Sequence, residues 1–148
     1  MYERILVPFD GSATSSEALA EAVRIARFCS SRLRLIHVVD PLLYVTGMEV
    51  GGLYMNEIVP ELLAAAEALL GTARESIEAQ GVSVETEVLQ SAGERVARII
   101  TEQATEWNAD LIVIGTHGRR GVDRVIMGSD AELVARTATV PVLLVRAV

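Results

Sequence analysis

Leu111-Ile112-Val113-Ile114-Gly115-Thr116-His117-Gly118-Arg119-Arg120-Gly121-Val122-Asp123-Arg124-Val125-Ile126-Met127-Gly128-Ser129 decides the fold. Its first four residues are apolar and mostly β-branched, the mark of a short buried strand, and a helical pattern begins at Ser129. A glycine-edged loop lies between. A loop that leaves the carboxyl end of a strand and feeds a helix is where an α/β sheet binds anions, because unpaired N–H groups and the helix dipole both favour negative charge. Gly115, Gly118 and Gly128 carry no Cβ, so backbone there can approach a ligand closely or take positive φ. Ser129 adds a hydroxyl at the same edge. Arg119, Arg120 and Arg124 put three positive charges within six residues of a chain whose net charge is -7. That local reversal of sign points to a polyanion such as phosphate.

Outward from this loop the chain alternates strand and helix. Arg4 to Phe9 reads as a strand buried on both faces, and Asp10-Gly11-Ser12 breaks it with turn chemistry. Thr14-Ser15-Ser16-Glu17 has the form of a capping box, after which Leu19, Ala22, Val23, Ala26 and Cys29 keep helical spacing. Leu33 to Val39 is a second strand, ending at Asp40-Pro41. The stretch from Leu42 to Asn56 is long and irregular for a strand-to-helix connection, as lids, binding surfaces and mobile segments are, and its apolar content predicts a mobile cover over the ligand. Glu57 to Gln80 reads as a long helix with Pro60 in its first turn and Gly81 as its stop. Val82 to Leu89 alternates with period two, as a sheet-edge strand does. Val96, Ile99, Ile100, Ala104 and Trp107 mark a third helix that closes at Asn108-Ala109-Asp110. Beyond the glycine loop, Ser129-Asp130-Ala131-Glu132 is a second capping box opening a helix that ends near Ala138, and Pro141 starts a last strand. This alternation predicts an α/β fold, a doubly wound five-stranded parallel sheet with helices on both faces, in a single domain over residues 1–148.

Neither of the two widespread phosphate loops is present. The chain has no lysine, so G-x-x-x-x-G-K-[ST] is impossible, and no G-x-G-x-x-G follows a strand. What is present is G-x2-G-x9-G-S, from Gly115 through Gly118 to Gly128-Ser129. In this spacing the chain resembles the universal stress protein A family, in its ATP-binding branch. Arg4-Ile5-Leu6-Val7-Pro8-Phe9-Asp10-Gly11-Ser12 is similar to the family's opening strand, and Val140-Pro141-Val142-Leu143-Leu144-Val145-Arg146 to its closing one. The resemblance covers essentially the whole chain. It implies strand order 3-2-1-4-5 in an adenine-nucleotide alpha-hydrolase-like layout, ATP as ligand with Mg²⁺ arriving on the triphosphate, and a homodimer through the closing strand. Residue by residue, it carries ATP contacts onto Pro8, Asp10, Val38, the loop of Gly115, Thr116, His117, Gly118, Arg119, Arg120 and Gly121, and Gly128, Ser129, Asp130 and Ala131. The implied order also fits the pattern: strand three has an edge character, strands one and four a central one, and a crevice opens where their crossovers diverge.

Several of these residues have a second, purely structural reading. Asp10 either meets a ribose or only shapes a turn, and Ser129 either caps its helix, meets a phosphate, or does both. Arg119 and Arg120 either reach the β- and γ-phosphates or stay solvated. His117 has no nucleophile or acid partner in sequence, so it reads as a loop residue near the ligand; His37 reads as a satisfied core or rim histidine. Cys29 reads as a small buried hydrophobe.

Composition bounds the function. The chain is 148 residues long and 51% hydrophobic, enough for a core without disulfides, yet no apolar run approaches the ~20 residues of a membrane span. A strand pattern begins almost at the N-terminus and leaves no room for a signal peptide, so the expected setting is cytoplasmic. The acidic balance argues against nucleic acid and anionic membranes as partners. An aspartyl-phosphate receiver is excluded by the missing lysine and by a third strand that ends at Leu89-Gln90 without a phosphoacceptor. Two functions besides an ATP-binding regulatory module fit: a ligand-free dimeric interaction protein, and a slow ATPase, for which Asp10 is the one candidate base and the loop offers no water-positioning Gln.

Overall fold

Alternating strands and helices run the length of the computed structural model, which describes residues 1–44, 52–117 and 127–147. In order these are β1 (Arg4–Pro8), α1 (Ala13–Cys29), β2 (Arg32–Val39), a 3-10 turn at Pro41–Tyr44, α2 (Gly52–Glu78), β3 (Val84–Gln90), α3 (Val96–Glu106), β4 (Leu111–Gly115), α4 (Ser129–Thr137) and β5 (Val142–Val145). The strands make one sheet in the order β3-β2-β1-β4-β5, with every pair parallel. This is the expected doubly wound sheet in the expected order.

Side-chain alternation along the central strands divides the core in two. Ile5, Val7, Leu33, Leu35, Leu111 and Val113 point to one face, where they pack against α1 and α2. Leu6, Ile36, Ile112 and Ile114 point to the other, against α3 and α4. Burial on both faces is why β1 and β4 read as continuous apolar runs. The edge strand β3 is treated differently. Its Glu85 and Glu87 each lie 3.2 Å from the Arg34 guanidinium on β2, and that guanidinium sits 5.0 Å from the Trp107 ring centroid. The wet face expected of this strand is therefore partly covered by an ion-paired arginine stacked on an aromatic ring.

Helix starts depart from expectation in three places. α1 begins ahead of the Thr14 box: Ser12 is the N-cap, and its hydroxyl accepts from the Ser15 N–H at 3.2 Å. Gly11, at φ 78, turns the chain so that Ser12 rather than Thr14 meets the helix end. The Ser129 box does not form either. Gly128 is the N-cap of α4 without a side-chain cap, and Glu132 instead pairs with Arg136 at 2.6 Å. α2 starts at Gly52, not Glu57, which leaves Pro60 inside the helix instead of in its first turn. Of the stretch from Leu42 to Asn56, residues 45–51 lie outside the described residues, and the parts on either side belong to the 3-10 turn and to α2.

Unequal strand lengths open the crevice. β1 pairs with β2 only as far as Pro8 opposite Ile36, whereas β2 continues beside β3 to Val39 opposite Gln90. On the other side of β1 the chain turns away at Asp10, and β4 ends at Gly115. The carboxyl ends of β2, β1 and β4 thus form a step, with α4 and α3 behind it.

Candidate functional site

A cavity of about 830 Å³ lies over that step. It is walled by the ends of β1, β2 and β4, by Leu62, Ala65, Ala66 and Leu69 of α2, by the turn Gly93-Glu94-Arg95 ahead of α3, and by the start of α4. Pro8, Asp10, Val38, Gly115, Thr116, His117, Gly128, Ser129, Asp130 and Ala131 all line it, so residues expected from four separate parts of the sequence meet around one space. Gly118, Arg119, Arg120 and Gly121 fall outside the described residues.

Backbone supplies much of the polarity. In a parallel strand each residue's N–H and C=O point to the same neighbour, and successive residues alternate. The Ile36 carbonyl accepts from the Phe9 N–H at 2.8 Å, and the Val39 carbonyl accepts from the Ser91 N–H at 2.8 Å. Ile36 therefore faces β1 and Val39 faces β3. By alternation Val38 faces β1, but β1 has already ended, so both its N–H and its C=O look into the crevice. At the other end, the Glu132 N–H is the first in α4 to find a helical acceptor, the Gly128 carbonyl, at 3.0 Å. The N–H groups of Ser129, Asp130 and Ala131 stand ahead of that bond with no preceding turn to receive them. Gly128 is itself pinned, its N–H donating to the Thr116 carbonyl at 2.7 Å.

The loop's departure from β4 is tied to α1. The Thr116 N–H donates to the Val145 carbonyl at 2.9 Å, and the Thr14 hydroxyl donates to the His117 carbonyl. The Thr116 hydroxyl and His117 Nδ1 are 3.0 Å apart. Asp10 takes its turn-shaping role: its Oδ1 accepts from the Ser12 N–H at 2.9 Å. It lines the cavity all the same. His37 is the rim histidine expected. Its Nδ1 lies 2.8 Å from the Phe9 carbonyl, which can only accept, so the proton sits on Nδ1.

Sequence reasoning missed the turn after β3. The Ser91 hydroxyl donates to the Glu94 carbonyl at 2.8 Å and accepts from the Gly93 N–H at 3.3 Å, folding Gly93 to φ 109 and bringing Glu94 and Arg95 to the cavity wall. Glu94 turns its carboxylate back to its own N–H and to the Ala92 N–H, 2.7 Å away, and these bonds hold it below the usual carboxylate range. The signal was present as Ser91-Ala92-Gly93, a turn at the carboxyl end of a strand, on the same side of the sheet as every other site residue. Among the described residues no group of three His, Cys, Asp or Glu side chains has metal-binding geometry, and no helix is long and apolar enough to cross a membrane.

The chain is similar to proteins of known sequence and structure. A universal stress protein of Methanocaldococcus jannaschii is 37% identical over 147 residues, covering 99% of this chain and 83% of the relative. The solved universal stress protein UspA from Lactobacillus plantarum superposes with a TM-score of 0.85 at 26% identity, covering 98% of each chain. A universal stress protein solved in complex with cAMP superposes with a TM-score of 0.70 at 25% identity, covering 99% of this chain and 98% of that one. The sequence model of the universal stress protein family matches residues 1–146, a span that takes in β1, the whole crevice and β5, and the chain belongs to that family.

Proposed function

We propose that this chain is a cytoplasmic, nucleotide-dependent regulatory module that takes ATP into the crevice above β1 and β4. The observation that carries the proposal is the placing of an open Val38 backbone edge and the uncapped start of α4 in one cavity of about 830 Å³. An N–H beside a C=O matches the acceptor and amino group on the edge of adenine, and Pro8, Ile36 and Ile114 give the base apolar surroundings. The three N–H groups at Ser129, Asp130 and Ala131, with the helix dipole behind them, are suited to phosphate oxygens. Asp10, which lines the same cavity, offers a carboxylate of the kind that accepts from a ribose hydroxyl. The protein of this family solved with cAMP supports an adenine nucleotide as the ligand class. Mg²⁺ would come with the triphosphate, and Asp10 and Asp130 offer oxygens of the kind it takes. The module is proposed to act as a homodimer joined through β5.

Mass spectrometry of protein denatured straight from purification is the direct test, with a co-purified adenine nucleotide expected. In the stripped protein, ATP at a hundredfold excess over its Kd should raise the melting temperature by about 8 °C, since ligand that binds only the folded state adds about 2.7 kcal/mol. No nucleotide in the first measurement and no shift in the second would leave a ligand-free interaction protein as the better reading.

A further inference from the structure

We propose that Arg95 is a ligand-binding residue, the cation that holds the phosphates of the nucleotide against α4. This rests on the nucleotide reading above. The charge around the cavity raises the question: Asp10, Asp40, Glu94 and Asp130 all line it, and Arg95 is the one arginine among the described residues that does. A polyphosphate entering a space with four carboxylates meets repulsion from each, which the N–H groups of α4 offset only in part.

Among the described residues the exposed Arg95 side chain has no other partner: its guanidinium makes no ion pair or hydrogen bond, while Arg98, one turn along the same helix, is committed to Glu102 at 2.7 Å. Glu94, the nearest carboxylate in sequence, is turned away to the Ala92 N–H. Arg95 also occupies a position where arginine is a poor choice. It is the N-cap residue of α3 and gives that helix no side-chain cap, and its positive charge stands at the positive end of the helix dipole. Serine, threonine, aspartate or asparagine would each serve the helix better. A residue that weakens its own element while facing a cavity is accounted for by a ligand. α3 and α4 pack side by side, so a side chain at the start of one can reach an anion held at the start of the other.

The test is Arg95→Ser, with Arg95→Lys beside it, each measured in the stripped full-length protein by apo melting temperature and by titration calorimetry with adenosine, AMP and ATP. Arg95→Ser gives α3 a capping residue, so its apo melting temperature should rise by about 3 °C. Its affinity for adenosine should stay the same, while that for ATP should fall about tenfold, the loss growing from AMP to ATP. Arg95→Lys should keep part of the ATP affinity. A lower melting temperature in Arg95→Ser would show a structural arginine and overturn the assignment. So would ATP affinity within twofold of the parent, or an equal loss for adenosine. If the parent itself binds none of the three, the nucleotide reading falls and Arg95 with it.

Discussion

A Cβ on Gly115 would stand 2.7 Å from the Thr14 carbonyl carbon, 2.8 Å from its oxygen and 3.0 Å from the Ser15 nitrogen. All three are backbone atoms of α1, which cannot swing aside as a side chain tip does. Gly128 is less tightly held, its Cβ position meeting the Thr116 carbonyl oxygen at 3.0 Å and nothing else closer than 3.6 Å. Neither glycine needs positive φ. Both are required first by protein packing: Gly115 lets α1 press onto the end of β4, and Gly128 lets the loop close back on Thr116. In the proposed nucleotide complex they would serve a phosphate indirectly, through the position they give to the start of α4. Gly115→Ala should therefore destabilise the apo protein by about 2 kcal/mol, the usual penalty for forcing an extra carbon into packed structure. Gly128→Ala should do so by well under half as much. Chemical denaturation of the two variants without ligand decides the point, and equal apo stability for Gly115→Ala and the parent would return that glycine to the ligand.

At the scale of elements, α2 carries the least expected feature. Pro60 stands well inside a helix running from Gly52 to Glu78 and is exposed on it. Proline has no N–H to donate to the preceding turn, and its ring presses on the carbonyl four residues back. The helix continues through it because Leu62, Ala66 and Leu69 follow at once along the cavity wall and the core, so burial outweighs the local penalty. Pro60→Ala should raise helical circular dichroism and add about 1 kcal/mol of stability, less than the full propensity difference because proline also stiffens the unfolded chain. An unchanged or lower melting temperature would show that the proline conformation is built into the packing. Proline also explains where sequence reading went astray, since it is commonest in a helix's first turn and so drew the start of α2 toward Glu57. The same happened at Thr14 and Ser129, where a capping pattern fitted but the backbone chose a neighbour. The strands were legible because Ile5-Leu6-Val7 and Leu111-Ile112-Val113-Ile114 leave no polar face to mistake, whereas their order came from the family resemblance, which the edge character of β3 only fitted. The crevice was legible from its glycines and from Asp10. Gly93-Glu94-Arg95 was passed over: Ser91-Ala92-Gly93 carries turn chemistry at a strand's carboxyl end, but it matches no phosphate-loop spacing and so drew no attention to the residues it brings to the cavity wall.

For the whole molecule, the free edge of β5 decides whether one chain is the working unit. The Ile112 N–H donates to the Pro141 carbonyl at 3.0 Å and the Thr116 N–H to the Val145 carbonyl at 2.9 Å, so Pro141, Leu143 and Val145 direct their backbone groups toward β4. By alternation, Val142 and Leu144 direct theirs outward, where no sixth strand pairs with them among the described residues. All four side chains from Val142 to Val145 are partly exposed, and each packs on one of the two cores, so the edge is apolar on both faces. An unblunted edge of this kind templates pairing, and a two-fold axis would let β5 meet its own copy antiparallel and close the interface. Leu144→Pro tests this selectively, because the N–H it removes points away from β4 and the ladder inside the chain keeps its donors. The variant is expected to retain the fold by circular dichroism and to sediment as a monomer at concentrations where the parent is a dimer. Loss of the edge should also leave the crevice intact, since Gly128 and the start of α4 hold to Thr116 and not to the outer side of β5. ATP should then still raise the melting temperature of the monomer. A monomeric parent, or a variant that sediments as a dimer while folded, would remove β5 as the interface.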